Sequence, residues 1–505
     1  MLTPSAYARS RIFAKPLGQI IMQNIVAISG RDLTPAGIVQ VARSGAKVVL
    51  TREAIERIGD AREVVDEVVR KGEKIYGVTS SVGAKTGTML APDRIPEFNR
   101  RLLLTHNMGH GPLASHETVR AMMIVLLNSM ATGYLGVRPV MADRLVEALN
   151  TDRRIDVHLW GSMGQSDMSP IADLALELYK DHEFAAGEAL ALLNSSALSI
   201  GTAALAFHDL ERMLDFATLA GAFSMEGFAA NPSIVSEAAL SSRPFDGVLR
   251  HGRAIRNYLA GSYLTQPGGP RHLQDPLSFR SLPLIHGNAA DSLGFAGRQL
   301  SIELSASQNN PVVAIEQRQL VSVANFDMVA LAMTLDIARL ALVPVVTSST
   351  ERLAKQADSF WSGLSVGLVE EDGVGLPGFN GLAQFHKSIT SEARLLGAPV
   401  VNELASSSHS NGNLDRASMA GLAARRTAEM ATLCLSIFGM ELMVAAQAVE
   451  MRKAKPLGAV THELLAFVRR AIPYAGAGER VPHAGQLIDH LVANDAEIDS
   501  LIRMA

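Results

Sequence analysis

The chain has 505 residues and a net charge of −4, and only 19% of its residues are charged. Hydrophobic residues make up 48% and aromatic residues 5%, a composition typical of packed helices rich in Ala, Leu and Met. A net charge of −4 argues against the basic face that binding to a nucleic acid needs. A single cysteine, Cys434, excludes an intrachain disulfide and a multi-cysteine zinc site. We therefore expect a cytoplasmic protein without a nucleic-acid partner.

The first part of the chain predicts a small mixed region. Residues 25–50 have the pattern of a short strand, a turn and a helix, with Thr34 as the N-cap and Pro35 in the first turn. Residues 51–71 have apolar side chains at helical spacing and predict an amphipathic helix. A loop rich in Gly, Ser and Thr follows at residues 76–88.

The rest of the chain predicts long helices and few strands. Polar residues such as Asn128, Asp336 and Glu441 interrupt the apolar runs, which favours buried helices over membrane spans. We predict an all-α bundle whose low charge reflects burial between subunits. The predicted domains are an extension at 1–24, an active-site domain at 25–200 and a helical bundle at 201–505. The apolar helical stretches cover about 115–135, 187–218, 284–305, 326–345 and 416–450, with loops at 367–381 and 406–413.

Five segments concentrate polar residues that a helical core does not need. Taken singly, each has a structural explanation: His106 suits a helix start, Arg280 an ion pair, and Asn309-Asn310-Pro311 a helix stop. His106 and His110 lack a third ligand, so we expect no metal. The segments are Tyr76 to Gly83, Thr105 to Gly109, Gly161 to Pro170, Gln274 to Arg280, and Asn309 to Pro311.

Their order resembles that of the aromatic amino acid lyases, the family of histidine and phenylalanine ammonia-lyases. The family's Tyr-Gly-Val loop resembles Tyr76-Gly77-Val78, and its Ser-His segment resembles Thr105-His106. The resemblance extends from about residue 25 to residue 419. It implies an elongated all-α homotetramer whose active sites combine loops of three subunits. The same order continues through Leu192-Leu193-Asn194, Gln274-Asp275-Pro276 with Ser278 and Arg280, Asn309-Asn310-Pro311 and Asn325-Phe326.

The segment that forms the family's prosthetic group departs from the pattern. Family members carry Gly-Ser-x-Gly-Ala-Ser-Gly-Asp, whose Ala-Ser-Gly cyclises to methylideneimidazolone. This chain has Gly161-Ser162-Met163-Gly164-Gln165-Ser166-Asp167, so the flexible glycine is missing or replaced by Asp167. Leu277 stands in place of a tyrosine, and Asn413-Leu414-Asp415-Arg416 in place of Gln-Glu-Asp-His. We therefore expect no methylideneimidazolone and no other cofactor.

A quaternary nitrogen makes that electrophile unnecessary. A trimethylammonium group has no lone pair with which to add to methylideneimidazolone, and it already leaves as a neutral amine. The family includes ergothionases, which eliminate trimethylamine from ergothioneine to give thiourocanate. We therefore expect a carbon–nitrogen lyase acting on a small histidine-derived betaine. Two alternatives stay open: an ammonia-lyase with an atypical prosthetic group, and an inactive member that binds a small acid or an active paralogue.

The resemblance and this substrate chemistry assign candidate roles. Tyr76 is the candidate base for the β-carbon proton, and Asp167 is the candidate anion for the trimethylammonium group. Asp327, at a position where the family carries histidine, is a second acidic candidate. Arg280 is expected to bind the substrate carboxylate. The other binding candidates are Asn194 and Asn309 near the carboxylate, His106, Lys85 and Gln274 near the ring, and Leu277, Leu414 and Phe326 as pocket walls.

Overall fold

A computed structural model describes residues 25–371, 373–402 and 412–505. The predicted extension at residues 1–24 and most of the predicted loop at 406–413 lie outside the described residues. The described chain is mostly helical, which confirms the predicted all-α class. The predicted domain boundary after residue 200 stays a prediction, although it falls inside a continuous helix.

The N-terminal region has the predicted strand–turn–helix arrangement. Strands β1 and β2 form a parallel pair, and the helix between them begins after Thr34, whose Oγ1 accepts a hydrogen bond from the Gly37 N–H at 3.1 Å. Such a cap stabilises a helix by about 1 kcal/mol. Two antiparallel pairs, β3 with β4 and β5 with β6, were not predicted because each strand is only three or four residues long. The strands are β1 Ile25–Ile28, β2 Lys47–Leu50, β3 His110–Leu113, β4 His158–Trp160, β5 Val312–Ala314 and β6 Gln319–Val321.

The helices of the N-terminal half include every predicted helical stretch of that region, with one difference. The predicted stretch 187–218 is two helices, separated at Asn194-Ser195-Ser196. The helices are α1 Pro35–Ala42, α2 Arg52–Lys71, α3 Ile95–His106, α4 His116–Ala131, α5 Pro139–Asn150, α6 Met168–Leu178, α7 Glu188–Leu193, α8 Ala197–Phe228, α9 Glu237–Ser241 and α10 Asp246–Tyr258.

The C-terminal half continues the bundle with two long helices at its centre. The predicted stretch 326–345 starts later and extends to Ala357, with Pro344 accommodated inside the helix. The helices are α11 Leu277–Arg280, α12 Leu282–Leu304, α13 Val329–Ala357, α14 Ser359–Ser362, α15 Asn380–Leu396, α16 Ala420–Met451, α17 Ala459–Ala471, α18 Ala484–Ala493 and α19 Asp495–Ile502.

Helix α8 is the centre of the core and packs along α16, α4, α12 and α13. The side chains of α8 itself are apolar and buried around nearly its whole circumference, as expected for a helix enclosed by others. Within residues 25–371, 373–402 and 412–505, three helical stretches are long and apolar enough to cross a membrane by length and composition. Their most apolar windows are 100%, 61% and 83% buried inside the chain; the stretches are Glu188–Phe228, Val329–Ala357 and Ala420–Met451.

A fully buried ion pair crosses this core. Arg352 of α13 donates to both carboxylate oxygens of Glu441 on α16, with Nε–Oε1 at 2.6 Å and Nη2–Oε2 at 2.9 Å. Ser224 of α8 donates to the same Oε1 at 2.8 Å. Arg352 also donates through Nη1 to the Ser278 carbonyl at 3.2 Å. The ion pair therefore connects the centre of the bundle to the segment that carries Arg280.

Candidate active site

The residue expected to face the leaving group, Asp167, instead holds the beginning of α8. It directly precedes α6 and is fully buried. Its Oδ2 accepts from the Ser199 N–H at 2.7 Å, and its Oδ1 accepts from the hydroxyls of Ser199 and Ser162, each at 2.7 Å. Burial raises the pKa of Asp167, against the opposing effect of these hydrogen bonds.

The predicted role of Asp167 is therefore corrected. Both of its oxygens already accept hydrogen bonds, and no part of the side chain is open to solvent. A carboxylate in this position satisfies one of the first N–H groups of a long helix, that of Ser199, where negative charge is favoured. We conclude that Asp167 fixes the break between α7 and α8, and that this carboxylate is not available to a substrate cation.

The Tyr76 loop packs against α7. Gly77 has a φ of +67°, and a Cβ atom there would lie 2.0 Å from Leu190 Cδ2, so glycine is required. The Tyr76 hydroxyl accepts a hydrogen bond from the Gly83 N–H at 3.2 Å, which closes the loop on itself. Tyr76 is half-buried, and Lys85, in the next turn, is exposed.

Asn194, directly after α7, joins this loop region to a second predicted motif. Its Nδ2 donates to the Asn310 carbonyl at 2.7 Å and to Asn309 Oδ1 at 3.3 Å. Asn309 in turn donates from Nδ2 to the Pro311 carbonyl at 2.8 Å. Both asparagines are buried. The structure thus brings together two candidates that are 115 residues apart in the chain.

The residue 161–167 segment has two further neighbours. Gln165 and Asp327 pair through their backbones in an isolated antiparallel bridge. Asp327 also forms an ion pair with Arg416 through Oδ2 and Nη1. The Met419 N–H donates to the Met163 carbonyl at 2.9 Å, so the chain around Arg416 lies on this segment. Phe326 and Leu414, which flank these contacts in sequence, are half-buried.

His106 ends α3 close to the same region. Its Nδ1 lies 2.8 Å from the Leu102 carbonyl, one turn earlier in the helix. The next residue, Asn107, donates from Nδ2 to Asp173 Oδ1 at 2.5 Å, and Asp173 also accepts from the His158 N–H of β4 at 2.9 Å. His106 therefore lies beside the strand that leads into residues 161–167.

Gln274, Leu277 and Arg280 lie at the opposite end of α8. Phe279 stacks on Phe228, the last residue of α8, with ring centroids 4.2 Å apart. Ser199, in the first turn of α8, is 29 residues earlier, which at 1.5 Å per residue is about 44 Å. Within one chain Arg280 is therefore far from Asn194 and Asn309, and its place beside them in an active site shared between subunits stays a prediction. The Arg280 side chain is exposed, and its Nε donates to the Asp275 carbonyl at 2.7 Å.

A buried carboxylate fixes the start of α7. Glu188 accepts from Arg138 Nε at 2.8 Å and from the Ala185 N–H at 2.8 Å, and its Oε2 lies 3.2 Å from His182 Nε2. Burial opposes ionisation here, but these hydrogen bonds outweigh it and hold the pKa of Glu188 at about 2. Because α7 carries Leu190 and leads into Asn194, Glu188 supports both site loops.

Glu188→Gln is expected to lower the free energy of unfolding by about 3 kcal/mol near pH 6. A carboxyl group whose pKa is lowered by folding stabilises the protein above its unfolded pKa, near 4.5, and this contribution disappears as the pH falls towards 2. Urea unfolding of both proteins at several pH values measures the difference. We expect the two curves to converge between pH 4.5 and 2; a difference that persists at low pH would contradict the ionised state of Glu188.

Comparison with known proteins agrees with this arrangement of loops and helices. The profile of the aromatic amino acid lyase family matches residues 33–184 and 179–470. The chain belongs to the aromatic amino acid lyase family. The histidine ammonia-lyases of Alkaliphilus metalliredigens and Streptococcus sanguinis are 28% and 30% identical to it. These matches cover 89% and 85% of this chain and 93% and 88% of the relatives.

Solved structures of the family have the same fold. The ergothioneine-degrading enzyme ergothionase of Treponema denticola superposes with a TM-score of 0.87 at 23% identity, covering 95% of this chain and 99% of that one. Histidine ammonia-lyase of Trypanosoma cruzi gives a TM-score of 0.86 at 22% identity and covers 95% of each chain. By its family, the protein is a carbon–nitrogen lyase.

The lyase family's methylideneimidazolone does not fit the residues of this chain. The group forms when the amide nitrogen of the third residue attacks the carbonyl of the first, here Asp167 and Gln165. The Asp167 N–H donates to the Ser195 carbonyl at 2.8 Å, and the side chain of Asp167 is fixed on Ser199. The backbone of Gln165 pairs with Asp327. Cyclisation would have to break these contacts, with a Cβ in place of the flexible glycine.

Sequence reasoning missed the residues that organise this region. Ser162 and Ser199 hold Asp167, and Arg416 holds Asp327. Arg416 carried a signal, since it replaces the histidine expected in its segment, and Ser162 lies in the polar segment 161–170, whereas Ser199 had none. Among the residues that the structure describes, no group of three or more His, Cys, Asp or Glu side chains is placed to hold a metal ion.

Proposed function

We propose that this lyase eliminates trimethylamine from a histidine-derived betaine such as ergothioneine, giving an α,β-unsaturated acid (thiourocanate). It does so without methylideneimidazolone or another cofactor. The observation that carries the proposal is the Gln165-Ser166-Asp167 segment, whose backbone and carboxylate are engaged in the contacts that fix α8. A family member without the electrophile needs a substrate whose nitrogen is already a good leaving group.

The reaction requires one proton transfer and one bond cleavage. Tyr76 removes the β-carbon proton, the C–H electrons form the new C=C bond, and the C–N electron pair leaves with neutral trimethylamine. Arg280 binds the carboxylate in a bidentate manner, with Asn194 and Asn309 nearby. His106, Lys85 and Gln274 face the ring, where they stabilise the charge that develops as the proton leaves. Phe326, Leu277 and Leu414 provide the apolar walls around the methyl groups, and Asp327 provides the negative charge.

The known relatives support this choice of substrate. The Treponema denticola neighbour degrades ergothioneine, and the curated relatives are named histidine ammonia-lyases, so both act on imidazole-bearing amino acids. Because the relatives are named ammonia-lyases, histidine ammonia-lyase activity with an atypical prosthetic group is the second candidate. A catalytically inactive binding protein is the third.

We further propose a cytoplasmic homotetramer whose active sites combine residues of different subunits. The segment that carries Arg280 packs at the Phe228 end of α8, about 44 Å from Ser199 near the Asn194 end, so we infer that a second copy of the chain brings Arg280 to the substrate that Asn194 contacts. Large apolar side chains on neighbouring helices are open to solvent in the single chain: Ile302 on α12, Leu340 on α13 and Leu395 on α15. Burial of these faces between copies would also account for the low share of charged residues. We propose no membrane and no nucleic-acid partner.

Incubation with ergothioneine and, separately, with histidine tests the proposed reaction. We expect ergothioneine to give a conjugated product that absorbs in the near ultraviolet together with trimethylamine, and histidine to give no ammonia. Ammonia from histidine would instead favour the second candidate. If neither ergothioneine nor histidine gives a product, and histidine betaine gives none either, the third candidate, an inactive binding protein, would be favoured.

A further inference from the structure

Several buried oxygens beside the Gln165–Asp327 bridge have no hydrogen-bond partner among the residues that the structure describes. They are Gln165 Oε1, Ser166 Oγ and Asp327 Oδ1. Gln165 is 9% exposed and Ser166 3% exposed. Buried acceptors without a partner are unfavourable, so a group that supplies one is favoured there. Residues directly opposite in an antiparallel bridge project their side chains to the same side, so Gln165 and Asp327 face one region.

The other oxygen of Asp327 is occupied by Arg416. In this ion pair the Arg416 side chain is 49% exposed and the Asp327 side chain 21% exposed. Asp327 therefore has one carboxylate oxygen paired with Arg416 and one that has no hydrogen-bond partner among the described residues. Asp327 and Arg416 both stand at positions where the family pattern has histidine, so two separate departures meet in one contact. This pairing puts a negative and a positive charge next to the segment that replaces the prosthetic group.

We propose that the Asp327–Arg416 ion pair is a latch that opens by exchanging partners with a zwitterionic substrate. An amino-acid betaine carries its trimethylammonium and carboxylate groups on the same carbon. On binding, Asp327 takes the trimethylammonium group and Arg416 takes the carboxylate, alongside Arg280. Arg416, Gln165 and Ser166 thereby become specificity-determining residues. This inference rests on the proposed function, since it assigns the head group of that substrate to named side chains.

The exchange conserves charge and fills the vacant acceptors. One internal ion pair becomes two pairs with the substrate, so no charge is left buried alone, which would be strongly unfavourable. Trimethylammonium has no N–H donors, but its methyl hydrogens carry partial positive charge and make weak C–H···O contacts. Gln165 Oε1 and Ser166 Oγ can receive such contacts once Asp327 has turned to the cation. A ligand that carries only one of the two charges breaks the Asp327–Arg416 pair and leaves the other side chain of the pair without a counter-charge.

Binding of three probes to variants tests the latch. The probes are ergothioneine, tetramethylammonium as a cation without carboxylate, and urocanate as a carboxylate without cation. In Arg416→Gln we expect tetramethylammonium to bind at least about threefold more tightly and ergothioneine at least about threefold more weakly. In Asp327→Asn we expect weaker binding of tetramethylammonium and ergothioneine, and tighter binding of urocanate, because Arg416 is then free.

Arg318→Gln is the matched control. Arg318 is 50% exposed and pairs at 2.6 Å with Glu67, which is 22% exposed, so it resembles Arg416 in exposure and charge. This variant should bind all three probes like the wild type. Thermal unfolding checks that each variant is folded, and Arg416→Lys, which keeps the charge, should retain the wild-type order of affinities.

Opposite responses of the cation and the zwitterion to Arg416→Gln are specific to the exchange. Equal losses for both probes, unchanged affinities, or no binding of tetramethylammonium and urocanate to the wild type would overturn the latch. Failure to release trimethylamine from ergothioneine would overturn the proposed function instead. In that case the tetramethylammonium and urocanate results still decide on the latch, because neither probe is a substrate.

Discussion

Tyr76→Phe is expected to lower kcat for trimethylamine release by about 10²- to 10⁴-fold, the usual contribution of a general base. The substitution removes one oxygen and leaves the ring that packs in the loop. Among the described residues, the Tyr76 hydroxyl accepts one hydrogen bond, from the Gly83 N–H at 3.2 Å, and this bond is local to the loop, so we expect the fold and the assembly to persist. KM should change little, because in this account the hydroxyl acts on the β-carbon proton and does not bind the head group.

Tyr474→Phe serves as the control for that experiment. Tyr474 is also half-buried and also makes one side-chain hydrogen bond through its hydroxyl, to Glu370 at 3.0 Å. We expect it to keep the wild-type kcat. Equal activity of Tyr76→Phe and wild type would remove Tyr76 from the role of base, whereas loss of the assembled state would show that the hydroxyl is structural.

The largest expected effect on stability comes from Glu441→Gln. The substitution leaves the fully buried guanidinium of Arg352 without its counter-charge, and breaking such a pair costs about 3–5 kcal/mol. Ser224 also loses a charged acceptor. Because Arg352 bonds the Ser278 carbonyl as well, we expect the segment that carries Arg280 to loosen and KM to rise. Urea unfolding and steady-state kinetics measure the two effects.

Glu450→Gln on the same helix is the matched control. Glu450 pairs with Arg469 where both side chains are partly exposed, and such pairs contribute about 0–1 kcal/mol. We expect a small loss of stability and no change in KM. If Glu441→Gln and Glu450→Gln lowered the free energy of unfolding by similar amounts, the buried Arg352–Glu441 pair would contribute no more to stability than a partly exposed pair.

The sequence predicted the elements whose signals are local. Thr34 and Pro35 mark a helix start, and the long apolar runs correspond to α4, α12 and α16. Asn194 and Asn309 were both assigned to the substrate carboxylate, and they are in contact, while their role stays a prediction. These features depend on neighbours in the chain or on a pattern shared by the family.

The remaining features depend on contacts between distant parts of the chain. Asp167 was predicted to face the substrate cation, but its carboxylate accepts a hydrogen bond from Ser199 on the next long helix. Arg280 and Asn194 were both assigned to the substrate carboxylate, but within one chain α8 separates them by about its full length. The Asp327–Arg416 pair joins residues 89 positions apart. No local pattern of residues encodes such distances, so geometry was needed to assign these roles.

Elimination on an unmodified chain is tested most directly by the intact mass of an active preparation. Protein that releases trimethylamine from ergothioneine is measured whole by mass spectrometry, without prior digestion. We predict the mass of the unmodified sequence, because the Gln165 carbonyl and the Ser166 hydroxyl each keep their oxygen. A mass lower by two waters, located by fragmentation to Gln165-Ser166-Asp167, would show that an electrophile forms there and would contradict the account.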